Sequence, residues 1–337
     1  MPTKPAAIVP LSEMTPGQEA DLFALLSKKE ELTTRDGKLY FKVTFRDDRR
    51  EVSFPVWGDS PFAAECKKNW FVGDFFKLRA VFRESSYGPQ LDLKKVRSVI
   101  DSDSADGFDP LMFLPRSRFD PETMFADLLA IAHKQIADET LRNVVLELLE
   151  TNRTELLALS AATRNHHAFV GGWLEHVRSV VQNAIFFADK YDEYYPDMKP
   201  RLNKNLVVAG AILHDIGKLR ELAQNPQGAE YTAAGNLIGH IVQGRDMLRE
   251  TPAAKKLSPD LMLRLEHIIL SHQRLPEWGS PKPPMTPEAL LVHYADDLDA
   301  KYNMLFAILR DDTSEGVMTS KKNILMQSMY KGEIGAK

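Results

Sequence analysis

A histidine and an aspartate stand side by side at the end of an apolar run, in "AGAILHDIGKLREL" (209–222), and a lysine follows three residues later. Adjacent residues on a helix point about 100° apart, so His214 and Asp215 cannot lie flat on one surface. At the end of a helix, however, the two side chains can approach one ion from two sides. The pair therefore indicates a candidate metal site.

Eight of the nine histidines fall between residues 166 and 293. Neutral imidazole is the commonest metal ligand in proteins, so this clustering favours metal binding over isolated core histidines. The candidate ligands, in chain order, are His176, His214, Asp215, His240, His272 and Asp296. They lie on or at the ends of five separate apolar segments, since His214 and Asp215 share one. Side chains that converge from several helices are how helical bundles build metal sites. Because the chain has one cysteine, a thiolate cluster is excluded.

Six candidate ligands suffice for two ions bridged by Asp215. The division that we predict gives His176, His214 and Asp296 to one ion and His240 and His272 to the other. Two ions about 3.5–4 Å apart can lower the pKa of a shared water toward ~7 and can hold the attacking and leaving oxygens of a phosphoester. Lys218 would then contact a non-bridging phosphate oxygen as charge develops, with a solvated lysine at a helix end as the alternative. Ligand types of this kind suit Mn, Fe, Zn or Mg and do not identify the metal.

Four other histidines are weaker candidates. His267 lies five residues before His272, about 140° around a helix, so it joins the metal site only if the helix ends between them, or it contacts a ligand instead. His293 shares a helix face with the last aspartate of the set and is predicted to orient a metal ligand, with plain packing as the alternative. His166 and His167 precede a Gly-Gly pair and predict a loop at the rim of the site, where they would touch phosphate or be exposed.

Two kinds of periodicity divide the chain. Apolar residues alternate with polar ones before residue 100, and they recur with a helical period after Pro121. The predicted strands are 19–32 (which also allows a helix), 38–47, 50–57, 75–83 and 89–99, and the predicted helices are 121–135, 139–160, 172–191, 204–215, 232–250, 259–272 and 286–310. Five short strands suit a small barrel of the OB type. We therefore predict an α+β multidomain protein with a β-barrel at 1–100, a linker at 101–121, an all-α bundle at 122–312 and a tail at 313–337.

An OB-type barrel binds single-stranded nucleic acid by stacking bases on exposed aromatic rings beside a positive groove. The candidate aromatic residues are Tyr40, Phe41, Phe54, Trp57 and Tyr87, and the candidate basic residues are Lys38, Lys42, Arg46, Lys77 and Arg79. Alternation places Phe41, Val43 and Phe45 on one face of their strand, which is the predicted core. Tyr40 lies on the other face and is the better stacking candidate, and Trp57 suits either role.

The overall composition excludes several classes of protein. It is 44% hydrophobic and 27% charged with a net charge of −4, as in an ordinary globular protein without a basic coat. No apolar run approaches the ~20 residues that a membrane span needs. The N-terminus lacks the layout of a secretory signal. We therefore expect a cytoplasmic protein that does not bind membranes, and the sequence leaves its oligomeric state open.

The ordered set H…HD…H…H…D resembles the HD superfamily of metal-dependent phosphohydrolases, whose central motif is similar to "HDIGK" (214–218). More narrowly, "HHAFVGGWLEHVRSVV", "HIILSHQ", "FLPRSRFD" and "WGSPKPPMTPEALLVHYADDLDAK" resemble the YhaM-type 3′→5′ exoribonuclease family. This resemblance implies an OB-type nucleic-acid-binding domain followed by an HD-type domain. It departs at Gln273 and Arg274, where the family usually has histidine and glycine, and this implies weakened activity or an altered metal preference.

The leading hypothesis is a metal-dependent 3′→5′ exonuclease that acts on single-stranded RNA, with single-stranded DNA as a further substrate, and that releases nucleoside monophosphates. It would use two divalent ions, with Mn first and Fe, Mg, Zn or Co as alternatives. A second hypothesis is an HD phosphohydrolase of nucleotides or cyclic nucleotides, which leaves the barrel without a role. A third is a non-catalytic nucleic-acid-binding protein, which Gln273 favours.

Overall fold

A computed structural model of the chain describes residues 8–34, 36–85, 88–163, 166–225 and 228–332. The chain forms two compact units, and the boundary between them falls between Pro115 and Arg116. Each unit has its own hydrophobic core. Among the described helices, none has both the length and the apolarity that crossing a bilayer requires.

The N-terminal unit is a five-stranded antiparallel sheet. Its elements are β1 (Glu19–Thr33), β2 (Leu39–Arg46), β3 (Glu51–Trp57), α1 (Ala63–Asn69), β4 (Phe75–Ser85) and β5 (Gly88–Ser98). The strand order is β3-β2-β1-β4-β5, and the long β1 pairs with β4 through its first half and with β2 through its second half. A single small helix lies between the third and fourth strands. This order is that of an OB-type barrel, so the predicted fold class is confirmed for this unit.

Strand β1 is buried on both faces, which explains why its sequence lacks a clean alternation. Leu22, Ala24 and Leu26 point into the main core of the sheet. Phe23 and Leu25, on the opposite face, pack with Phe113. Phe113 is the last residue of the second of two 3₁₀ turns, Asp101–Asp106 and Pro110–Phe113. A strand covered on both sides reads as a nearly continuous apolar run, and such a run can be mistaken for a helix.

The second unit is helical. Its elements are α2 (Pro121–Gln135), α3 (Glu139–Thr151), α4 (Arg153–Ala158), α5 (Gly172–Tyr194), α6 (Lys204–Leu213), α7 (Lys218–Glu221), β6 (Leu222–Asn225), β7 (Gly228–Tyr231), α8 (Ala233–Ile238), α9 (His240–Glu250), α10 (Pro259–Ser271) and α11 (Pro287–Asp311). The all-α prediction is thus confirmed except for one short hairpin. The predicted helices 139–160 and 232–250 are each divided in two, at Asn152 and at Gly239, whose φ of 79° does not continue a helix.

Capping explains where several of these helices begin. A side-chain oxygen at the N-cap accepts a hydrogen bond from the backbone N–H three residues on, which satisfies a donor that the helix leaves unpaired. The residues that do so are Asp120, Asp138, Asn203, Thr232, Ser258 and Thr286. Helix α6 begins at such a cap, is apolar along most of its length, and packs against α5 and α11. It therefore ends inside the bundle, immediately before His214.

Candidate metal centre

The six predicted ligands converge inside the helical unit. His176 comes from the first turns of α5, and Asp296 comes from α11. His214 and Asp215 follow α6, while the remaining two, His240 and His272, lie at the start of α9 and just after α10. The four histidines and Asp215 are buried. Elements far apart in sequence thus bring ionisable side chains into one apolar bundle, where unpaired charge is costly.

Asp215 lies at the middle of this cluster. Its Oδ1 lies 3.3 Å from His240 Nε2 and 3.5 Å from His272 Nε2. Its Oδ2 lies 3.7 Å from the Nε2 atoms of both His176 and His214. One carboxylate oxygen therefore faces each pair of histidines, while the assignment of the pairs to two ions stays a prediction.

Asp296 completes the first of the two groups. Its Oδ1 lies 3.2 Å from His176 Nε2 and 3.8 Å from His214 Nε2. The potential ligand atoms of these three residues lie within 4.8 Å of one another. The potential ligand atoms of His214, Asp215 and His272 also lie within 4.8 Å of one another. Both groups have the size and the nitrogen and oxygen donors that suit a divalent transition metal.

Two buried atoms of the cluster lack hydrogen-bond partners in the described part of the chain, and this bears on whether a metal ion fits the site. Among the described residues, Asp215 Oδ1 and His272 Nε2 have no hydrogen-bond partner. Buried polar atoms are rarely left unpaired, because the loss of solvation is not repaid. An acceptor oxygen and an imidazole nitrogen that face each other are both satisfied by a cation between them. The donor set therefore fits a bound divalent ion.

In each pair of histidines, the Nδ1 atom of one ring lies within hydrogen-bond distance of a carboxylate. His176 Nδ1 lies 2.7 Å from Asp299 Oδ2, and His240 Nδ1 lies 2.8 Å from Glu221 Oε1. An Nδ1–H that donates to a carboxylate leaves the Nε2 lone pair facing the centre, and this is the arrangement found behind metal-binding histidines. Neither Asp299 nor Glu221 was predicted from the sequence. Asp299 could have been found, because it lies one helical turn after Asp296 on the same face of α11.

In the other two histidines, Nδ1 lies within hydrogen-bond distance of a backbone carbonyl oxygen. His214 Nδ1 lies 2.9 Å from the carbonyl oxygen of Ala211, and His272 Nδ1 lies 2.8 Å from that of Ile269. Each of these rings thus folds back onto the helix that precedes it. All four histidines have an acceptor at Nδ1, so all four can direct Nε2 toward the same centre.

The electrostatics of the cluster favour a cation. Burial opposes protonation of His176, but hydrogen bonds to Asp296 and Asp299 outweigh it and raise the pKa of its imidazole to about 10. Burial lowers the pKa of His214 to about 4. Although burial opposes it, the charges of Lys218 and the histidines hold the pKa of Asp215 well below its usual range. The carboxylates are thus ionised, and their field attracts positive charge into the site.

Lys218 is buried and is therefore not the solvated lysine of the alternative interpretation. Its Nζ lies 3.8 Å from Asp215 Oδ2 and 3.7 Å from Glu221 Oε2. Burial opposes its charge, but these two carboxylates raise the pKa of the ammonium group. The structure thus holds a charged amine beside Asp215, at the edge of the cluster.

Two adjacent histidines lie behind His176. The His166 ring lies 5.3 Å from the His176 ring, and burial lowers its pKa to about 3, which keeps it neutral. His167 is buried, and its Nε2 lies 3.0 Å from Asp299 Oδ2. His167 therefore helps to fix the carboxylate that orients His176, and neither ring is the exposed loop residue that the sequence allowed.

His293 contacts the backbone of a predicted ligand, whereas His267 does not belong to the cluster. His293 is buried, and its Nδ1 lies 2.7 Å from the carbonyl oxygen of His272, so it braces the backbone of that ligand. His267 lies apart from the cluster, where its Nε2 accepts a hydrogen bond of 2.8 Å from the backbone N–H of Met285. The physical reason is the five-residue spacing, since α10 continues through Ser271 and turns His267 away from the direction of His272.

Two further residues shape the second pair of histidines. Gln273 Nε2 lies 3.3 Å from His240 Nε2, so this amide faces the second pair of histidines. Gly217 allows α9 to approach the turn after α6. A Cβ atom at Gly217 would lie 1.9 Å from the carbonyl oxygen of His240 and 2.4 Å from the backbone nitrogen of Gly244. Only glycine fits at that position.

The predicted nucleic-acid-binding residues of the N-terminal unit fall into two sets. Tyr40 on β2 and Trp57 on β3 face each other, with ring centroids 5.2 Å apart, and Trp57 is 47% exposed. Lys38 and Lys42 are exposed near this pair in sequence. Phe41 and Phe54 are buried, and so are Val43 and Phe45, as the alternation predicts. Tyr87 lies outside the described residues.

Lys77 and Arg79 are held in ion pairs instead of facing solvent freely. Lys77 Nζ lies 3.2 Å from Asp103 Oδ1 and 2.5 Å from Asp106 Oδ2. Arg79 makes two hydrogen bonds of 2.7 Å to the carboxylate of Asp21. These partners come from β1 and from the turns after β5, so the pairing could not be read from the spacing of the basic residues. Both side chains are therefore already neutralised on this surface.

Comparisons with known proteins give one family match and several similar solved structures. Residues 173–301 match the model of the HD domain family, whose members are metal-dependent phosphohydrolases, and this range contains all six predicted ligands. The helical unit thus carries an HD domain. The second OB-fold domain of replication protein A from Methanococcus maripaludis is similar at 15% identity, with coverage of 27% of this chain and 94% of that one and a TM-score of 0.22. Schizosaccharomyces pombe Pot1pC bound to ssDNA is similar at 16% identity, with coverage of 29% and 90% and a TM-score of 0.21.

Proposed function

We propose that the protein is a metal-dependent 3′→5′ exonuclease that hydrolyses the phosphodiester bonds of single-stranded RNA, with single-stranded DNA as a further substrate. The observation that carries the proposal is the position of Asp215, one oxygen of which faces each of two histidine pairs inside an HD domain. A carboxylate in that position suits a bridge between two ions. The same chain carries an OB-type barrel, which gives a reason for a polymeric substrate.

The metal ions would supply Lewis acidity and an activated water, with Mn first and Fe, Mg, Zn or Co as alternatives. The chain's own residues would do the rest. Asp299 and Glu221 orient one histidine of each pair, so that the site is organised before an ion binds. The buried ammonium group of Lys218 would contact a phosphate oxygen, and its charge would stabilise the negative charge that develops there during hydrolysis.

The barrel would hold the strand that the HD domain shortens. The exposed pair of rings, Tyr40 and Trp57, offers a stacking surface for bases, and stacking is tolerant of sequence because every base has a π face. Lys38 and Lys42 are exposed and would contact phosphates. Since Lys77 and Arg79 are paired with carboxylates, we expect them to contribute less than these two lysines.

One incubation separates this proposal from its alternatives. Purified protein is mixed with 5′-labelled single-stranded RNA, the matching DNA, or a nucleoside cyclic monophosphate, in the presence of Mn²⁺ or of EDTA. We expect a ladder of products that shortens from the 3′ end with Mn²⁺ and intact RNA with EDTA. Turnover of the cyclic nucleotide alone would support the nucleotide phosphohydrolase, and binding without cleavage would support the non-catalytic binding protein. Either result would overturn the proposal.

A further inference from the structure

A cavity of about 340 Å³ opens on the helical unit, between α5, α11 and the segment 116–120. Its walls include Arg118, Phe119, Arg178, Tyr302 and Phe306. None of these five side chains has a part in the proposed hydrolysis. The volume lies within the range of about 300–1,000 Å³ that is typical of small-molecule sites.

The segment that forms one wall of the cavity is held firmly in place. The backbone N–H of Ser117 donates to the carbonyl oxygen of Val170 at 3.0 Å. The Ser117 hydroxyl donates to Glu175 Oε2 at 2.5 Å and accepts from the backbone N–H of Phe119 at 3.1 Å. Three hydrogen bonds within three residues fix the direction in which Arg118 and Phe119 leave the backbone. The wall is therefore preorganised, which lowers the cost of binding a ligand.

Aromatic rings and guanidinium groups meet at the mouth of this cavity. Phe119, Tyr302 and Phe306 are 40%, 68% and 50% exposed, which is unusual for three large rings around one opening. The Arg118 guanidinium lies 4.8 Å from the centre of the Phe119 ring and 5.9 Å from that of Phe306. The Arg178 guanidinium lies 5.7 Å from the Phe119 ring. Two cations thus stand beside rings that can stack on a planar ligand.

Arg118 is available for an anion. Its side chain is 71% exposed, and it approaches Glu175 Oε1 at 4.0 Å, which is the outer limit of an ion pair. A guanidinium group matches the oxygens of a phosphate in two parallel hydrogen bonds. Amide groups from Gln182 and Asn303 also line the cavity and offer both donors and acceptors. The lining therefore combines a stacking surface, a phosphate-binding group and hydrogen-bonding amides.

The floor of the cavity lies behind the metal centre. His167 and Asp299 line it, and Asp299 bonds Nδ1 of His176. Since His176 Nε2 faces Asp296 and Asp215 on the other side of the ring, a molecule in the cavity would meet the back of this histidine. It would not occupy the place of a phosphodiester at the two groups of ligands. The cavity is thus a separate site on the same domain.

We propose that this cavity binds a nucleoside monophosphate, with the base stacked among Phe119, Tyr302 and Phe306 and the phosphate held by Arg118. Arg178 is paired with Asp127 at 2.8 Å, so it contributes its position beside the Phe119 ring and not the main phosphate contact. A nucleotide has the planar ring, the hydrogen-bonding edge and the anion that this lining matches. The proposal does not depend on the exonuclease activity, because none of the cavity's aromatic or arginine side chains belongs to the metal centre. A bound nucleotide would lie against the Asp299 carboxylate that orients His176.

Titration calorimetry with AMP, in EDTA, tests the site without metal-dependent chemistry. We expect saturable binding to one site per chain in the wild type and also in Asp215→Asn, which impairs the metal centre. Arg118→Ala should weaken binding on the order of tenfold or more, because it removes a charged hydrogen bond. Phe119→Leu should weaken binding by about tenfold, because it removes a stacking ring and keeps an apolar side chain.

Matched controls come from the same unit. Phe186→Leu changes an exposed ring of α5 and Arg201→Ala removes an exposed arginine, and neither side chain lines the cavity. Both variants should bind AMP as the wild type does. The proposal is overturned if AMP does not bind, if binding requires Mn²⁺ and is lost in Asp215→Asn, or if Arg118→Ala and Phe119→Leu bind as tightly as the controls. A second copy of the chain could instead cover the rings. The proposal is therefore also overturned if the wild type is a dimer that does not bind AMP and Phe306→Ala makes it a monomer.

Discussion

Asparagine in place of Asp215 removes one charge from the middle of the histidine cluster and leaves a side chain of almost the same size. The carboxylate is the group that faces both histidine pairs, with Oδ1 3.3 Å from His240 Nε2 and Oδ2 3.7 Å from His176 Nε2. An ion beside either pair would therefore lie close to this carboxylate. Asp215→Asn should weaken metal binding and hydrolysis together.

The size of the effect follows from the distances. Two unit charges about 4 Å apart interact by about 4 kcal/mol at an effective dielectric constant of about 20. Since about 1.36 kcal/mol corresponds to a factor of ten, the loss is on the order of 10³-fold in metal affinity. Asp215 would hold the ions that stabilise the negative charge developing on the phosphate, so turnover should fall on the order of 10³-fold or more when it is replaced.

Two measurements check this prediction. Calorimetry with Mn²⁺ reports metal affinity, and cleavage of labelled RNA at saturating Mn²⁺ reports turnover. Asp189→Asn is the control, because it removes the same charge from an exposed carboxylate of α5. A melting temperature close to that of the wild type shows that the variant is folded. If Asp215→Asn binds two ions normally and turns over at a near-normal rate, the bridging role of this residue is refuted.

Three further predictions concern other parts of the structure. Gly217→Ala should destabilise the fold by about 1–3 kcal/mol, because its Cβ would overlap the carbonyl oxygen of His240, and an unchanged thermal melt would contradict this. Gln273→His should tighten binding of the second ion on the order of tenfold, because an imidazole would replace the amide that faces His240; an unchanged Mn²⁺ isotherm would count against it. Lys42→Ala should make the slope of log affinity against log salt shallower by up to about 0.7, whereas Lys218→Ala should lower the maximal rate at an unchanged slope. The reverse pattern would contradict the roles proposed for the two lysines.

Residue types and their spacing determined which elements form and which side chains are available for chemistry. The helical period after Pro121 predicts α2, α5, α6, α10 and α11 within a few residues, because a buried helix face must be apolar at that period. The alternation in β2 correctly predicts that Phe41, Val43 and Phe45 are buried. The six candidate ligands could be identified from the sequence because histidine and aspartate are uncommon next to apolar runs unless a function requires them there.

Only the tertiary structure decided which of these groups meet and what lies behind them. Periodicity shows which face of a helix is apolar, but it does not show which residue of another helix lies opposite that face. Asp299 behind His176 joins side chains 123 residues apart, and the pairing of Arg79 with Asp21 spans 58 residues. His267 is excluded from the cluster for the same reason, since its direction depends on where α10 ends. The packing of the elements determines which residues far apart in the chain become hydrogen-bond partners. Local sequence patterns do not encode that packing.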